Sequence, residues 1–132
     1  MAVYTNINKK DLSVINKKFK THKFISFKGI KQGIENTNYL LKSKNEKFIL
    51  TIFEKRVSKK EIPFFMKLMD QLNNLNFNCP KPLRNSNGHY LFKLKNKTAC
   101  IVSFLKGKDK KILNLKNCYD VGKMIAVMHA ST

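Results

Sequence analysis

The segment from Phe24 to Glu54 constrains the fold most, because its apolar residues follow the two-residue period of β-strands. Two turns interrupt this period. The first contains Gly29 and Gly33, and the second is the polar run Ser43-Lys44-Asn45-Glu46. The third strand is apolar on both faces except at Thr51, which is typical of a central strand that is covered on both sides. The predicted strands are 24–28, 37–42 and 47–54.

The glycines of the first turn indicate a possible anion site. Glycine lets backbone N–H groups approach an anion where a side chain would block them, and two flanking strands can hold such a loop over the phosphates of a nucleotide. Two glycines four residues apart are weak evidence, since an ordinary hairpin turn is the commoner explanation. Both interpretations stay open at this point.

Helical periodicity is found at both ends of the chain. Asn8 can cap a first helix whose residues Leu12, Ile15 and Phe19 share one face. A last helix begins near Leu115 and has an apolar stripe that no later segment of the sequence covers. We therefore expect the chain to be a truncated protein.

A third helix is predicted between the two groups of strands, from Ser58 to Asn74. Ser58 can cap it, and Glu61 three residues later would complete a capping box. The predicted buried stripe consists of Ile62, Phe65, Leu68, Met69 and Leu72.

A second hairpin follows this helix. Cys79-Pro80-Lys81-Pro82 ends the helical region, since proline removes an amide donor. The hairpin consists of strands 90–94 and 99–105, with a turn at 95–97. Five strands with one inserted helix predict an α+β fold.

The composition limits the classes of function. The chain has 132 residues, of which 42% are apolar, enough for one folded domain with a core. We expect a cytoplasmic protein, because the longest apolar run is too short to span a bilayer and no secretion signal is visible. Three cysteines, far apart and odd in number, support neither a disulfide framework nor a zinc site.

The formal net charge of +19 would suit a basic nucleic-acid-binding module. Two observations argue against specific binding of nucleic acid. Only Arg56 and Arg84 are arginines, and the lysines are spread over the whole chain rather than gathered on one face. A genome rich in A and T explains a lysine-rich composition at least as well.

Several local sequences, taken together, resemble one family. The chain is similar to the bacterial homoserine kinases, which share the fold of aminoglycoside phosphotransferases and choline kinases. The matching segments cover nearly all of the chain in the right order. They are 1–5, 26–30, 33–39, Phe48-Ile49-Leu50-Thr51-Ile52-Phe53-Glu54-Lys55-Arg56-Val57, Pro63-Phe64-Phe65, Leu68-Met69, Cys79-Pro80-Lys81-Pro82, 101–107 and Met128-His129.

This resemblance implies the small lobe of a protein-kinase-like fold, a five-stranded antiparallel sheet with one inserted helix and an N-terminal helix. Residues 1–105 would form the ATP-binding lobe, and 106–132 the hinge linker and the first helix of a truncated large lobe. The catalytic loop and the Mg²⁺ ligands of the family would lie in the missing large lobe. The chain alone would therefore be inactive.

The resemblance also implies site residues. The loop over the phosphates would include Gly29, Gly33, Asn36, Thr37 and Asn38. Backbone groups at Ser103, Phe104 and Leu105 would meet the adenine edge, with the Phe104 side chain in the core. The strand that normally presents a lysine to the phosphates has Thr51 here, and Lys55, four residues later on the same strand face, is the candidate replacement.

The implied function is transfer of the ATP γ-phosphate to the hydroxyl of L-homoserine, a step of threonine biosynthesis. Choline, ethanolamine, a sugar or an aminoglycoside stays open as the acceptor, because the acceptor pocket lies mostly outside this chain. The third alternative is the basic nucleic-acid-binding module. The sequence does not predict the oligomeric state.

Overall fold

The structure is a computed structural model that describes residues 3–55 and 58–132. Its centre is a five-stranded antiparallel sheet with the strand order β1-β2-β3-β5-β4. The elements in chain order are α1 (Lys9–Lys18), β1 (Ser26–Gly29), β2 (Thr37–Lys42), β3 (Lys47–Ile52), α2 (Ile62–Asn74), β4 (Phe92–Leu94), β5 (Lys97–Ser103) and α3 (Leu115–Ser131).

One face of the sheet, here called the core face, packs against α1. The capping box of Asn8 and Asp11 starts this helix as predicted, and its Leu12 and Ile15 are buried. Alternate residues of the strands complete this core, as the two-residue period requires. The buried strand residues are Tyr39, Leu41, Phe48, Leu50, Ile52, Phe92, Leu94, Ala99 and Ile101.

The opposite face, here called the second face, packs in part against α2. Ile62 and Met66 of the helix lie on Cys100 of β5, and Phe53, Met69 and Val102 extend this smaller cluster. The second-face side chains of β3, Ile49 and Thr51, are only half-buried, so the expectation that both faces of this strand are covered holds for the core face alone. The part of the second face near β1 and β2 has no helix over it among the described residues.

The start of α2 differs from the prediction. The helix begins at Ile62 and not at Ser58, and no side chain caps it. Ser58 instead accepts a turn hydrogen bond from the Glu61 amide at 3.0 Å. Pro63 in the first turn explains the late start, because a residue without an N–H fits there. Phe65, predicted to be buried, is exposed.

Strand bounds also differ from the predictions by a few residues. The third strand ends at Ile52 and not at Glu54. In the last hairpin, the first strand begins at Phe92, two residues later than predicted, and the second strand lies two residues earlier than predicted. Its turn consists of Lys95 and Asn96, with φ of +48° and +61°, as in a two-residue turn that matches strand twist. This turn brings Lys97 into β5.

The last helix, α3, begins at Leu115 as predicted and is capped by Asn114, which forms a capping box with Asn117. None of its residues is buried. Apolar residues along it, including Leu115, Tyr119 and Val121, are more than half exposed. Among the described residues, no helix has the length and apolar character needed to cross a bilayer.

Candidate functional site

The glycine loop, residues 30–36 between β1 and β2, is the first part of the candidate site. Gly33 has φ of +113°, a backbone conformation that side chains with a Cβ rarely adopt. A Cβ at Gly33 would lie 3.6 Å from Nδ2 of Asn38. The start of the loop is tied to β2, because the Ile30 amide donates to the Asn38 carbonyl at 2.9 Å. The loop is thus folded over the Asn38 side chain.

Asn38 and Thr51 are directly opposite each other on β2 and β3, with both side chains on the second face. The Thr51 hydroxyl donates to Oδ1 of Asn38 at 2.8 Å. This bond fixes the amide so that its NH₂ group points toward the loop. Within the described part of the chain, that NH₂ group has no acceptor, so it remains available to an anion.

Gly29 and Thr37, also expected in the phosphate loop, point to the core face. A Cβ at Gly29 would lie 3.1 Å from Cγ2 of Val3, so a glycine here permits the N-terminal segment to pack closely. Thr37 is fully buried, and its hydroxyl is used inside the fold. Neither side-chain position faces the second face, where Asn38 lies.

Asn36 and Lys55 occupy the end of the loop and the end of β3. Oδ1 of Asn36 accepts from the Glu54 amide at 3.3 Å, which joins the loop to the chain after β3. Lys55 lies in a turn beyond the strand, which ends at Ile52. The expectation that Lys55 shares a strand face with Thr51 is therefore wrong, because the two-residue alternation stops before it reaches Lys55.

A lysine–glutamate pair between the central strand and the inserted helix is absent from the described residues. Thr51 occupies the strand position, opposite the buried Cys100, and burial raises the pKa of that thiol to about 12. The single acidic residue of α2 is Asp70, which pairs with Tyr90 and Arg84 instead. The helix is anchored to the chain before β4, not to the second face of β3.

The last residue of β5 and the two residues after it form the hinge segment, Ser103 to Leu105. The Ser103 amide donates to the Lys81 carbonyl at 2.8 Å, and the Phe104 amide donates to the Lys47 carbonyl at 3.2 Å. Among the described residues, the Leu105 amide has no acceptor. The prediction that the Phe104 side chain lies in the core is wrong, since it is exposed and holds the Lys47 ammonium 5.7 Å from its ring centre.

The hinge and the glycine loop lie toward opposite ends of β3. Ser103 is opposite Phe48, and Asn38 is opposite Thr51, three residues further along the strand. Three residues of strand correspond to about 10 Å. An elongated ligand lying along β3 on the second face can therefore reach both.

A polar cluster at the core-face end of the sheet was missed by sequence reasoning. It places a lysine of β5, two threonine hydroxyls and a glutamate together, although they are far apart in sequence. Lys97 was assigned to the turn of the second hairpin, and no spacing in the sequence marks Glu54 as its partner. The polar cluster consists of Thr5, Thr37, Glu54 and Lys97.

Burial raises the pKa of Glu54, but hydrogen bonds from Lys97, Thr5 and Thr37 and the charge of Lys97 outweigh this, so the pKa lies below its usual value. Glu54 is thus ionised in the fold at neutral pH. No local sequence signal indicates that it meets Lys97, 43 residues later.

The described residues do not form a metal site. No group of three or more His, Cys, Asp or Glu side chains in that part of the chain is close enough to hold a metal ion. The arrangement supplies N–H donors to an anion and few oxygen ligands to a hard cation such as Mg²⁺.

Comparisons with known proteins identify the family and the fold of the chain. The model of a family described as "Phosphotransferase enzyme family" matches residues 26–131, most of the chain. The chain belongs to this phosphotransferase family. A crystal structure of spectinomycin phosphotransferase in complex with ADP and spectinomycin has the same fold, with a TM-score of 0.75 over 97% of this chain at 11% identity. The predicted kinase-like small lobe is therefore confirmed as the fold.

Curated relatives of this phosphotransferase chain are homoserine kinases. The protein from Beijerinckia indica is 40% identical over 98% of this chain, and that from Allorhizobium ampelinum is 42% identical over 98%. The protein from Agrobacterium fabrum is 39% identical over 100% of the chain. The chain spans about 40% of the length of these relatives, and 39% of the spectinomycin phosphotransferase chain.

Proposed function

We propose that this chain is the ATP-binding part of a homoserine kinase, which transfers the γ-phosphate of ATP to the side-chain hydroxyl of L-homoserine and forms O-phospho-L-homoserine. The observation that carries the proposal is the sequence identity of about 40% to homoserine kinases over nearly the whole chain. The sequence identity to the spectinomycin enzyme is only 11%, so the structural match to that enzyme indicates the fold and not the acceptor. The reaction belongs to threonine biosynthesis, and its use of ATP suits the cytoplasm.

The nucleotide would lie along β3 on the second face. The loop around Gly33 and the NH₂ group of Asn38 would donate hydrogen bonds to the phosphates, and Thr51 would hold Asn38 in place. Two observations support this fit. Gly33 has no Cβ that would block the neighbouring backbone N–H groups, and among the described residues the NH₂ group of Asn38 has no acceptor. The Leu105 amide, which also has no acceptor among the described residues, would donate a hydrogen bond to the edge of the adenine ring.

The other expected phosphate-loop residues act indirectly in this proposal. Gly29 would let the N-terminal segment pack, while Asn36 and Thr37 would hold the end of the loop. Lys55 lies in the turn after β3 and not on the strand beside Thr51. The loop contacts, and not a strand lysine, would carry phosphate binding.

Phosphoryl transfer from ATP also needs Mg²⁺, which neutralises the charge of the phosphates when bound. The described residues do not fit this ion, because they contain no cluster of acidic ligands. We propose that its ligands and the catalytic loop lie outside this chain. Residues 1–105 would then be the ATP-binding lobe, and 106–132 the hinge linker and the start of the large lobe.

The test is an acceptor assay of the full-length protein that contains this chain. ATP is offered with L-homoserine, choline, ethanolamine or spectinomycin, and the phosphorylated product is identified by ³¹P NMR. We expect phosphorylation of homoserine at least about a hundredfold above the others in kcat/KM, which corresponds to about 2.7 kcal/mol. A preference for choline or spectinomycin would retain the fold and refute the acceptor.

The net charge of +19 favours one function of a different class, binding of nucleic acid. Such binding weakens steeply with salt, because it releases counterions. Titration of the same protein with duplex DNA at 50 and at 200 mM salt separates the two functions. For a protein with six phosphate contacts, the affinity for DNA falls roughly a thousandfold over this range. We expect ATP binding to persist at the higher salt and DNA binding to be absent there.

A further inference from the structure

We propose that the polar cluster is a positioning device for the glycine loop, and that it acts through the N-terminal segment. The proposal rests on the kinase function proposed above. The cluster itself touches no phosphate in that proposal, since its side chains lie on the core face. Its role would be to hold the loop in the shape that accepts the anion.

Thr37 joins the N-terminal segment to β2. Its hydroxyl oxygen accepts from the amides of Tyr4 and Thr5 at 3.0 and 3.1 Å, and its proton is donated to Oε1 of Glu54 at 2.8 Å. A serine or threonine hydroxyl has one donor and two acceptor positions, and Thr37 uses all of them. A fully buried residue with complete hydrogen bonding holds its neighbours firmly.

Glu54, two residues beyond the end of β3, completes the cluster. Oε1 also accepts from the Thr5 hydroxyl at 2.6 Å, and Oε2 accepts from the ammonium of Lys97 at 2.5 Å. Lys97 donates a second bond to the Thr5 hydroxyl at 2.7 Å. The side chains of Glu54 and Lys97 are 12% and 38% exposed, so solvent screens this ion pair only in part.

Two hydrogen bonds connect the polar cluster and the N-terminal segment to the glycine loop. The Tyr4 hydroxyl donates to the Ile34 carbonyl at 2.9 Å, directly after Gly33. The Glu54 amide donates to Asn36 at 3.3 Å. The loop residues between are exposed and have few apolar contacts, so these bonds are its main restraints on the core side.

A loop that must be ordered by its ligand binds that ligand more weakly, because the ordering entropy is subtracted from the affinity. A loop that is already ordered avoids this loss. The cluster therefore affects the ATP step, and it leaves the acceptor, which the rest of the protein would bind, unaffected. The proposal therefore predicts that disrupting the cluster changes the KM for ATP and not the KM for homoserine.

The test uses two variants of the full-length protein. Tyr4→Phe removes only the exposed contact to the loop, and Thr37→Val removes the hydroxyl at the centre of the cluster. We expect the KM for ATP to rise about threefold and about tenfold, respectively, with the KM for homoserine unchanged. Thr37→Ser keeps the hydroxyl and should restore the wild-type KM.

The matched control is Thr98→Val, another strand threonine, whose hydroxyl meets only Lys93 among the described residues. It should leave both KM values unchanged. If Thr37→Val fails to fold, Tyr4→Phe alone decides, because its ring is 55% exposed and its removal leaves the cluster intact. An unchanged KM for ATP in a folded Tyr4→Phe variant would overturn the proposal.

Backbone dynamics separate this proposal from the proposed function. In Tyr4→Phe we expect the ¹⁵N order parameters of residues 33–36 to fall, with those of β3 unchanged. If the wild-type protein phosphorylates no homoserine, the proposed function fails, yet lower order parameters still support the positioning role. Unchanged order parameters at 33–36 overturn that role whatever the activity.

Discussion

At the scale of single residues, the pair of Asn38 and Thr51 is the central feature of the candidate site. A threonine stands where a kinase strand usually presents a lysine, and its hydroxyl donates to the neighbouring amide side chain. In the proposed site, an oriented neutral donor would take the place of the positive charge of a lysine. A neutral donor binds an anion less strongly than a charged one but also costs less to desolvate.

This arrangement predicts the effect of Thr51→Val. The substitution keeps the side-chain shape and removes the hydroxyl, so the Asn38 amide is no longer held with its NH₂ group toward the loop. We expect the KM for ATP to rise about fivefold, or about 1 kcal/mol, as for the loss of one hydrogen bond. Steady-state kinetics of the full-length protein measures this, and a wild-type KM in the variant would count against the role of Thr51.

The sequence predicts some of these residues and not others. The family resemblance implied Asn38, and the two-residue period of β2 fixes the face of the sheet on which it lies. Lys55 was placed on the wrong element, since the apolar pattern does not mark the residue at which β3 stops pairing. Lys97 and Thr5 were missed because their contacts with Glu54 join distant parts of the chain, and no spacing rule reports such contacts.

At the scale of elements, α2 is held by a polar contact rather than by a strand lysine. Tyr90 donates to Oδ2 of Asp70 at 2.6 Å, and Arg84 donates to the same oxygen at 3.2 Å. The hydrogen bond from Tyr90 lowers the pKa of Asp70; burial opposes this, and the hydrogen bond and charge of Arg84 add to the lowering. The carboxylate is therefore the form that the fold prefers.

We expect Tyr90→Phe to lower the free energy of unfolding by about 1 kcal/mol at pH 7. Because the pKa of Asp70 is lower in the folded state, the stabilisation is complete above its usual value of 3.8 and is lost as the pH falls through the folded value. The difference between variant and wild type should therefore shrink below pH 3.8. Urea denaturation across this range measures it.

The control for this experiment is Tyr119→Phe on α3, where the side chain is 70% exposed. It should leave the free energy of unfolding unchanged at both pH values. A Tyr90→Phe difference that stays constant down to pH 2, well below the usual pKa of Asp70, would contradict the role of the carboxylate.

The order of the elements could be predicted from the sequence, but several of their ends could not. Periodicity identified the five strands and three helices of the described residues, because the apolar residues of each recur at a regular spacing. The start of α2 was placed four residues too early, since Ser58 and Glu61 match a capping pattern, while Pro63 favours the later start that the structure has.

At the scale of the whole molecule, α3 has no buried residue, and its apolar side chains face water in this chain. Large exposed apolar patches favour association. We expect the 132-residue chain, produced alone, to self-associate, with an average mass in sedimentation equilibrium that rises with concentration. Val121→Lys combined with Ile125→Lys, on that helix, should reduce this rise.

A substitution elsewhere provides the comparison. Ile25→Lys changes an exposed apolar residue just before β1, far from α3 in sequence, and should leave the association unchanged. Sedimentation as a monomer at every concentration would contradict the expectation that the face of α3 causes association.

The polar cluster also has a consequence for synthesis of the chain on the ribosome. Its four members come from the N-terminal segment, β2, the chain just after β3, and β5, so the last of them is made more than ninety residues after the first. At about 5–20 residues per second, Thr5 and Glu54 are made several seconds before Lys97. We therefore expect the ion pair that completes the attachment of the N-terminal segment to form late in folding.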